Sequence, residues 1–271
     1  HATYDESISR MLDVFEKVDR DIPFNGLPWL FDHAETISPR NIERVRALGG
    51  GIAIQHRMAF QGEYFIDRYG AKAAEATPPI QRMLAEGVPV GAGTDATRVA
   101  SYNPWTALYW LVSGKTVGGT TLYPQGLPRA TALQLFTHGS AWFSSEQGKK
   151  GQIKVGQLAD LVALSADFFS VEEEQIKWLE SVLTVVGGKV VHATREFDKL
   201  APPSVPVMPD WSPVALVPGH WSPTAAPLTA SIHQCIGSCA VHQHQHDRAR
   251  RSSVPVSDHQ GFWGAFGCSC F

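Results

Sequence analysis

Residues 1–113 alternate between short apolar runs and longer segments in which apolar residues recur every three or four positions. Residues 7–18 have the helical spacing, whereas 29–31, 51–55 and 88–92 are short runs typical of buried strands. Strands that alternate with helices pair in parallel, because each helical crossover returns the chain to the same end of the sheet. The sequence therefore predicts an α/β fold with a parallel sheet, either open or closed into a barrel.

Capping residues predict where several helices begin and end. Ser38 followed by Pro39 is typical of a helix cap and first turn, and Gly87 suits the end of a helix over 80–86. Residues 104–113 form another predicted helix. Between the strand at 51–55 and the helix at 80–86, the sequence predicts a long excursion to about Thr77.

The second half of the chain has a different pattern. A helix capped by Thr131 and a short helix near 140–143 are expected, followed by short β-branched segments joined in one place by a Gly187-Gly188 hairpin turn. Proline recurs after residue 202, and the last residues show no sustained periodicity, which predicts a disordered tail. The predicted organisation is a helix-and-strand domain at 1–147, a β flank at 148–200, an extended Pro/Trp-rich segment at 201–230 and a Cys/His-containing tail at 231–271.

Composition excludes several functional classes. Hydrophobic residues make up 44% of the 271 residues, enough to bury a large core, and the net charge of -3 gives no reason to expect nucleic-acid or membrane partners. No run of about 18 apolar residues predicts a spanning helix. All four cysteines lie in the tail, so we expect no disulfide framework in the main body and a reducing, cytoplasmic location. The first residue is histidine, which indicates upstream processing or a partial sequence.

Three polar residues stand at predicted strand ends. Asp95 closes the segment Gly91-Ala92-Gly93-Thr94-Asp95, His33 follows the strand at 29–31, and His1 precedes the first helix. The carboxyl ends of parallel strands are where α/β proteins place catalytic groups, so these residues form a candidate metal site. Two structural alternatives remain open: Asp95 as a helix cap or turn residue, and His33 as a core histidine bonded to Glu35 or to backbone.

Four segments, in this order, resemble the C-terminal half of an amidohydrolase-superfamily enzyme, closest to the amidohydrolase 3 group. They are His1-Ala2, the Asp-His-Ala-Glu of 32–35, the Val-Gly-Ala-Gly-Thr-Asp of 90–95 and the Lys-Gly-Gln-Ile-Lys-Val-Gly-Gln-Leu-Ala-Asp-Leu-Val of 150–162. The resemblance covers roughly residues 1–198. It implies the C-terminal half of a (β/α)8 TIM barrel, strands 5 to 8, with part of a small β-sandwich flank and an irregular tail.

By this resemblance, His1, His33 and Asp95 match the metal-ligand positions after barrel strands 5, 6 and 8. The residues of strands 1 to 4 are absent, so we expect either a partial sequence or a missing half supplied by another chain. Four strands cannot close a barrel. Exposed strand edges would favour association into a homo-oligomer.

The resemblance also implies a chemistry. The metal is zinc or a similar divalent ion, one or two in number, which activates water and polarises a carbonyl group. Asp95 acts as general base and acid, and the substrate is a small molecule with a non-peptide carbon–nitrogen bond in an amide, formamide or cyclic amide. His56, in the loop with Arg57, and Arg98 are candidate substrate contacts. A solvated loop role is the alternative for both.

The tail supports a second hypothesis, a metal-binding or interaction module. Its potential ligands for zinc or copper are Cys235, Cys239, His242, His244, His246, Cys268 and Cys270. Their spacing matches no common zinc module, and a disordered end remains the alternative. An N-terminal histidine such as His1 can also chelate copper through its amine and imidazole, but that hypothesis leaves Asp95 unexplained.

Overall fold

The computed structural model describes residues 1–75, 77–95 and 99–203. His1–Pro203 form one compact unit. In chain order the elements are α1 (Asp5–Asp21), β1 (Leu30–Asp32), α2 (Pro39–Ala47), β2 (Gly51–Gln55), α3 (Met58–Tyr69), α4 (Ala71–Ala74), α5 (Ile80–Ala85), β3 (Val90–Gly93), α6 (Pro104–Ser113), α7 (Arg129–Gln134), a π-helix (Leu135–Gly139), α8 (Ser140–Phe143), β4 (Leu161–Leu164), a 3-10 helix (Glu173–Trp178), β5 (Ser181–Val186), β6 (Lys189–Ala193) and a second 3-10 helix (Arg195–Leu200). No helix in this described part is long and apolar enough to cross a membrane.

The first three strands form a parallel sheet in the order β1-β2-β3. Leu30 pairs with Gly51, and Gln55 pairs with Gly93. Ala2 extends the sheet beyond the end of β1 through a parallel bridge to His33. Because all these segments run in one direction, the residues that follow them leave the sheet at one edge. The prediction of an α/β fold with a parallel sheet is confirmed.

Aromatic side chains join α1 and β1. The ring of Phe15 stacks on that of Phe31, and both make edge-to-face contacts with Trp29. The indole Nε1 of Trp29 donates a hydrogen bond to the Leu48 carbonyl at 3.1 Å, which ties β1 to the end of α2. Gly50 is required in this packing, because a Cβ atom at that position would overlap the Trp29 ring. The aromatic cluster therefore fixes the position of β1 relative to α1 and to the end of α2.

The predicted helix caps are confirmed in two places. The Ser38 side chain accepts a hydrogen bond from the Asn41 backbone N–H, with Pro39 in the first turn of α2. Gly87, with φ of +73°, follows α5 and donates its N–H to the Leu84 carbonyl at 3.0 Å. Glycine has no Cβ penalty in this left-handed conformation, which is why it suits the end of a helix.

The long excursion predicted up to Thr77 is wrong, because this segment contains α3 and α4. The buried face of α3 includes Ala59 and Gly62, and a Cβ atom at Gly62 would press against the Leu122 side chain. Met58 is also buried, and Phe65 and Ile66 pack against the core, so the inward positions do have helical spacing. Gly62 stands at the centre of this face, and its low helix propensity obscures the helix in the sequence. The predicted cap at Thr131 is also wrong: α7 begins at Arg129, and Thr131 lies inside it.

The last three strands form an antiparallel sheet in the order β4-β5-β6. Gly187 and Gly188 connect β5 to β6 with φ of +56° and +78°, as the tight hairpin turns with two left-handed residues require. The predicted small β region and its hairpin are confirmed. The residues of the Pro/Trp-rich segment and the tail from 204 onward lie outside the described part of the chain, and the domain boundaries remain predictions.

Arg44 links α2 to α1. Its Nη2 lies 2.6 Å from Asp13 Oδ1 and its Nε lies 2.5 Å from Glu16 Oε1, with the Arg44 side chain 12% exposed. The hydrogen bond from Arg44 is the largest influence on Glu16 and lowers the pKa of that carboxyl group. This charged contact supplements the apolar packing of the two helices.

We predict that Arg44→Gln lowers the free energy of unfolding by about 1 kcal/mol at pH 7, whereas Arg46→Gln, an exposed position on the same helix, changes it little. The Glu16 contribution is complete above its ordinary pKa and is lost as the pH falls through its lowered folded-state pKa. Urea unfolding at pH 7 and pH 3 measures both effects. Equal stabilities for the two variants at pH 7 would refute the proposed link.

Candidate metal and active site

His1 and His33 are in direct contact at the carboxyl edge of the parallel sheet. The Ala2 N–H donates to the Asp32 carbonyl at 3.1 Å, and the Ala34 N–H donates to the Ala2 carbonyl at 2.9 Å. This pairing places His1 Nδ1 2.9 Å from His33 Nε2, with the ring centroids 4.2 Å apart. Two of the three predicted metal ligands, separated by 32 positions in sequence, are therefore neighbours in the fold.

The geometry of this pair is compatible with a shared metal ion. Two nitrogen atoms bound to tetrahedral zinc at 2.0–2.1 Å lie about 3.3 Å apart, so a small separation of the rings converts the hydrogen bond into a ligand pair. His33 is 5% exposed, and its Nδ1 has no hydrogen-bond partner in the described structure. A buried polar atom without a partner costs about 1–3 kcal/mol. The bonding capacity of this ring is thus not met by the described protein groups.

The backbone is strained at the same edge. His33 has φ of +78°, Ala34 of +47° and Asp95 of +50°, a left-handed conformation that is unfavourable for residues with a Cβ atom. The His33 N–H donates to the Ala53 carbonyl at 2.9 Å, so β2 holds this conformation in place. Strained residues that the surrounding structure fixes are concentrated at functional sites. Two of them here are residues that the sequence singles out.

Asp95 lies two residues beyond β3 and its side chain is exposed. Among residues 1–75, 77–95 and 99–203, no three or more His, Cys, Asp or Glu side chains lie close enough together to hold a metal ion. The structure thus pairs His1 with His33 but does not bring Asp95 into the same ligand cluster. The three-residue metal site stays a prediction.

An ion pair that the sequence analysis did not assign to the site lies at this edge. Glu35, after β1, is 4% exposed, and its Oε2 is 3.4 Å from Arg57 Nη1, after β2. Burial raises the pKa of Glu35, the Arg57 charge lowers it, and the charge of Asp95 raises it further. Charged groups from the ends of all three strands therefore influence one another. The available sequence signal was that both residues closely follow strand ends, as His33 and Asp95 do.

His56, predicted to contact substrate, is 1% exposed, and neither ring nitrogen has a hydrogen-bond partner. Burial lowers the pKa of its imidazole to about 4. Gln55 Oε1 and Trp110 Nε1 are also buried without partners, and these three side chains line one narrow crevice together with Ala92 and Gly93. The structure therefore places His56 beneath the surface, and its substrate contact remains a prediction.

The remaining predicted site residues lie outside the described part of the chain. Arg98, the second candidate substrate contact, belongs to the segment 96–98. The tail cysteines and histidines, from Cys235 to Cys270, belong to the segment 204–271. The predictions for Arg98 and for a metal site in the tail are therefore unchanged.

A protein-family model described as "Amidohydrolase family" matches residues 1–192 of the 271. The chain belongs to the amidohydrolase family. The family predicted from the four sequence segments is therefore confirmed. The matched range includes His1, which precedes the bridge at Ala2, and His33, Glu35, Arg57 and Asp95, which follow strands at the carboxyl edge of the parallel sheet.

Two curated relatives and one crystal structure are similar to this amidohydrolase-family chain. YtcJ of Bacillus subtilis (strain 168), named as an amidohydrolase, is 27% identical over 197 residues, which are 71% of this chain and 36% of YtcJ. A 5-methylthioadenosine/S-adenosylhomocysteine deaminase of Syntrophobacter fumaroxidans (strain DSM 10017 / MPOB) is 33% identical over 94 residues, 34% of this chain and 21% of that protein.

The crystal structure is that of an uncharacterized metal-dependent hydrolase from Pyrococcus horikoshii OT3. It superposes with a TM-score of 0.53 at 25% sequence identity and covers 64% of this chain and 35% of that chain. The chain thus spans about a third of the length of YtcJ and of this solved structure.

We predict that burial of neutral His56 makes the protein less stable in mild acid. Its folded-state pKa of about 4 lies below the ordinary 6.5, so the unfolded chain binds more protons, and stability is lost as the pH falls from 6.5 towards 4. Between pH 7.5 and 4.5 this loss amounts to about 2.5 kcal/mol. Urea unfolding at the two pH values should show the loss in the wild type and its absence in His56→Leu.

His192→Leu provides the control, since His192 is an exposed histidine on β6. That variant should retain the wild-type loss of stability. If His56→Leu and the wild type lose the same stability between pH 7.5 and 4.5, His56 is not buried in its neutral form.

Proposed function

We propose that this chain supplies strands 5 to 8 of a (β/α)8 barrel in a metal-dependent hydrolase that cleaves a non-peptide carbon–nitrogen bond. The observation that carries the proposal is the contact between His1 and His33 at the carboxyl edge of a parallel sheet in an amidohydrolase-family chain. The names of the relatives agree with this chemistry. YtcJ is named an amidohydrolase, and the deaminase carries the name of a reaction that breaks a carbon–nitrogen bond.

Closure of a barrel requires more parallel strands than the described residues provide. The parallel sheet consists of β1, β2 and β3, extended by the bridge at Ala2, which gives four strand positions. An eight-stranded barrel has an interior just wide enough for side chains to fill, and four strands cannot surround a core. In the proposed enzyme, the other four strands complete the barrel and add the ligands that the His1 and His33 pair lacks.

His1 Nδ1 and His33 Nε2 are the atoms that would hold the metal. Neutral imidazole nitrogen suits zinc among the common divalent ions, and the 2.9 Å contact of His1 Nδ1 with His33 Nε2 brings the two candidate ligand atoms together. Bound zinc lowers the pKa of a coordinated water molecule to about 7 and polarises a carbonyl group. Whether one or two ions bind depends on ligands outside these residues.

Asp95 is the proposed proton-transfer residue. It stands at the exposed mouth of β3 in a strained conformation, one strand beyond Arg57 and two beyond His33. In the proposed reaction it accepts a proton from the attacking water and then donates it to the leaving nitrogen as the carbon–nitrogen bond breaks. The products are a carboxylic acid and an amine, so atoms and protons balance.

We predict that, in the complete barrel containing these residues, Asp95→Asn lowers kcat for an amide or formamide substrate by about 1000-fold, since an amide cannot accept the proton. Circular dichroism should remain as in the wild type. Asp21→Asn, an exposed change at the far end of α1, is the control and should retain full activity. Turnover by Asp95→Asn within a few-fold of wild type would eliminate Asp95 as the base.

A further inference from the structure

Arg57 occupies a central position at the edge that carries the proposed active site. It follows β2, the middle strand, whereas His33 follows β1 and Asp95 follows β3. Neighbouring strands lie about 4.8 Å apart. The Arg57 backbone thus leaves the sheet between the strand that ends before His33 and the strand that ends before Asp95.

Two neighbouring side chains hold the guanidinium group of Arg57 in place. Its Nε donates to Gln61 Oε1 at 2.8 Å, and its Nη1 lies 3.4 Å from Oε2 of Glu35, whose side chain is 5% exposed. An Nη1 distance of 3.4 Å is longer than a normal charge-assisted hydrogen bond of about 2.7–2.9 Å. The pairing with Glu35 is therefore electrostatic and leaves the Nη N–H groups available.

Most of the donors of Arg57 have no hydrogen-bond partner among the described residues. A guanidinium has five N–H donors, and only the Nε donor makes a hydrogen bond in that part of the structure. The side chain is 26% exposed, so part of it is accessible to solvent while the contacts with Gln61 and Glu35 hold it in place. An arginine in this state binds a carboxylate with two parallel hydrogen bonds and loses little further side-chain entropy in doing so.

The neighbouring His56 does not provide an alternative contact. It is 1% exposed and its pKa is lowered by burial, so it presents no charge to a ligand at neutral pH. Of the two residues in this loop, Arg57 is the one that reaches the surface as a cation. Its place after the middle strand, between the strands that carry the proposed catalytic groups, suits a negative group on the substrate.

We propose that Arg57 selects substrates that carry a carboxylate near the scissile carbon–nitrogen bond, as in N-acyl amino acids. This inference rests on the proposed hydrolase function. Arg57 binds the carboxylate, and Glu35 and Gln61 position the guanidinium. A role limited to neutralising buried Glu35 is the competing explanation, and ligand binding distinguishes the two.

Calorimetry on the full chain with one equivalent of zinc tests the proposal with two probes. N-acetylglycine carries a carboxylate, and N-acetylglycinamide replaces it with a neutral amide of the same size. The wild type should bind N-acetylglycine about tenfold more tightly, as a two-bond arginine–carboxylate contact requires. Because the metal also attracts the carboxylate, the decisive quantity is the change in this preference between proteins measured under the same conditions.

Arg57→Gln should reduce the preference to about twofold or less. Since this variant leaves Glu35 buried without its counter-charge, the double variant Glu35→Gln/Arg57→Gln serves as a second test and should give the same result. Arg82→Gln is the matched control: like Arg57, Arg82 forms ion pairs, in its case with Glu43 and Glu86, but it lies on α5. That variant should keep the wild-type preference.

A full preference in both Arg57 variants, or equal binding of the two probes by the wild type, would overturn the proposal. Asp95→Asn separates this result from the fate of the hydrolase proposal: in the complete barrel it should lower kcat about 1000-fold, and in calorimetry it should leave the carboxylate preference unchanged. Lost preference in the Arg57 variants together with Asp95-independent activity would remove only the catalytic role. Retained preference together with Asp95-dependent activity would remove only the role of Arg57.

Discussion

The candidate site depends on the backbone pairing between Ala2 and the end of β1. The Ala2 N–H bonds to the Asp32 carbonyl, the Ala34 N–H bonds to the Ala2 carbonyl, and the Thr36 N–H bonds to the Thr3 carbonyl at 3.2 Å. These bonds bring the His1 ring onto His33. The contact of the two rings also requires β1 to keep its register with β2, because a shift by one residue would turn His33 to the other face of the sheet.

Strain and unmet hydrogen bonding are concentrated where this sheet ends. The strand interiors are conventional, with Ile52 and Ile54 fully buried. One or two residues beyond the strands, His33 and Asp95 adopt left-handed conformations, and polar atoms of His33 and His56 are buried without partners. Locally unfavourable features of this kind persist where the surrounding fold determines them, and proteins tolerate them mainly at functional sites.

The sequence predicted those parts of the fold in which local and tertiary preferences agree. The bounds of β2 and α6 match the expected segments, because both have clear apolar patterns and, for α6, a proline in the first turn. Helix α3 was missed because Gly62, a poor helix former, interrupts its inward face, although Met58, Phe65 and Ile66 have helical spacing. The contact of His1 with His33 followed from residue type and strand position. Glu35 and Arg57 also follow strand ends, but their pairing depends on the register of β1 on β2, which the local sequence does not show. His56 is buried on the same side as Ile54, two positions earlier, and this alternation of two is visible in the sequence.

We propose that His1 and His33 together bind a divalent metal ion, and the other site assignments depend on this pair. Zinc-edge X-ray absorption on the chain loaded with one equivalent of zinc tests it most directly, because the method identifies the bound atoms and their distances. We expect a first shell of nitrogen and oxygen at about 2.0–2.1 Å with the scattering pattern of two imidazole rings, reduced to one ring in His33→Asn. A shell containing sulfur at about 2.3 Å, or one unchanged in His33→Asn, would contradict it and place the metal elsewhere in the chain.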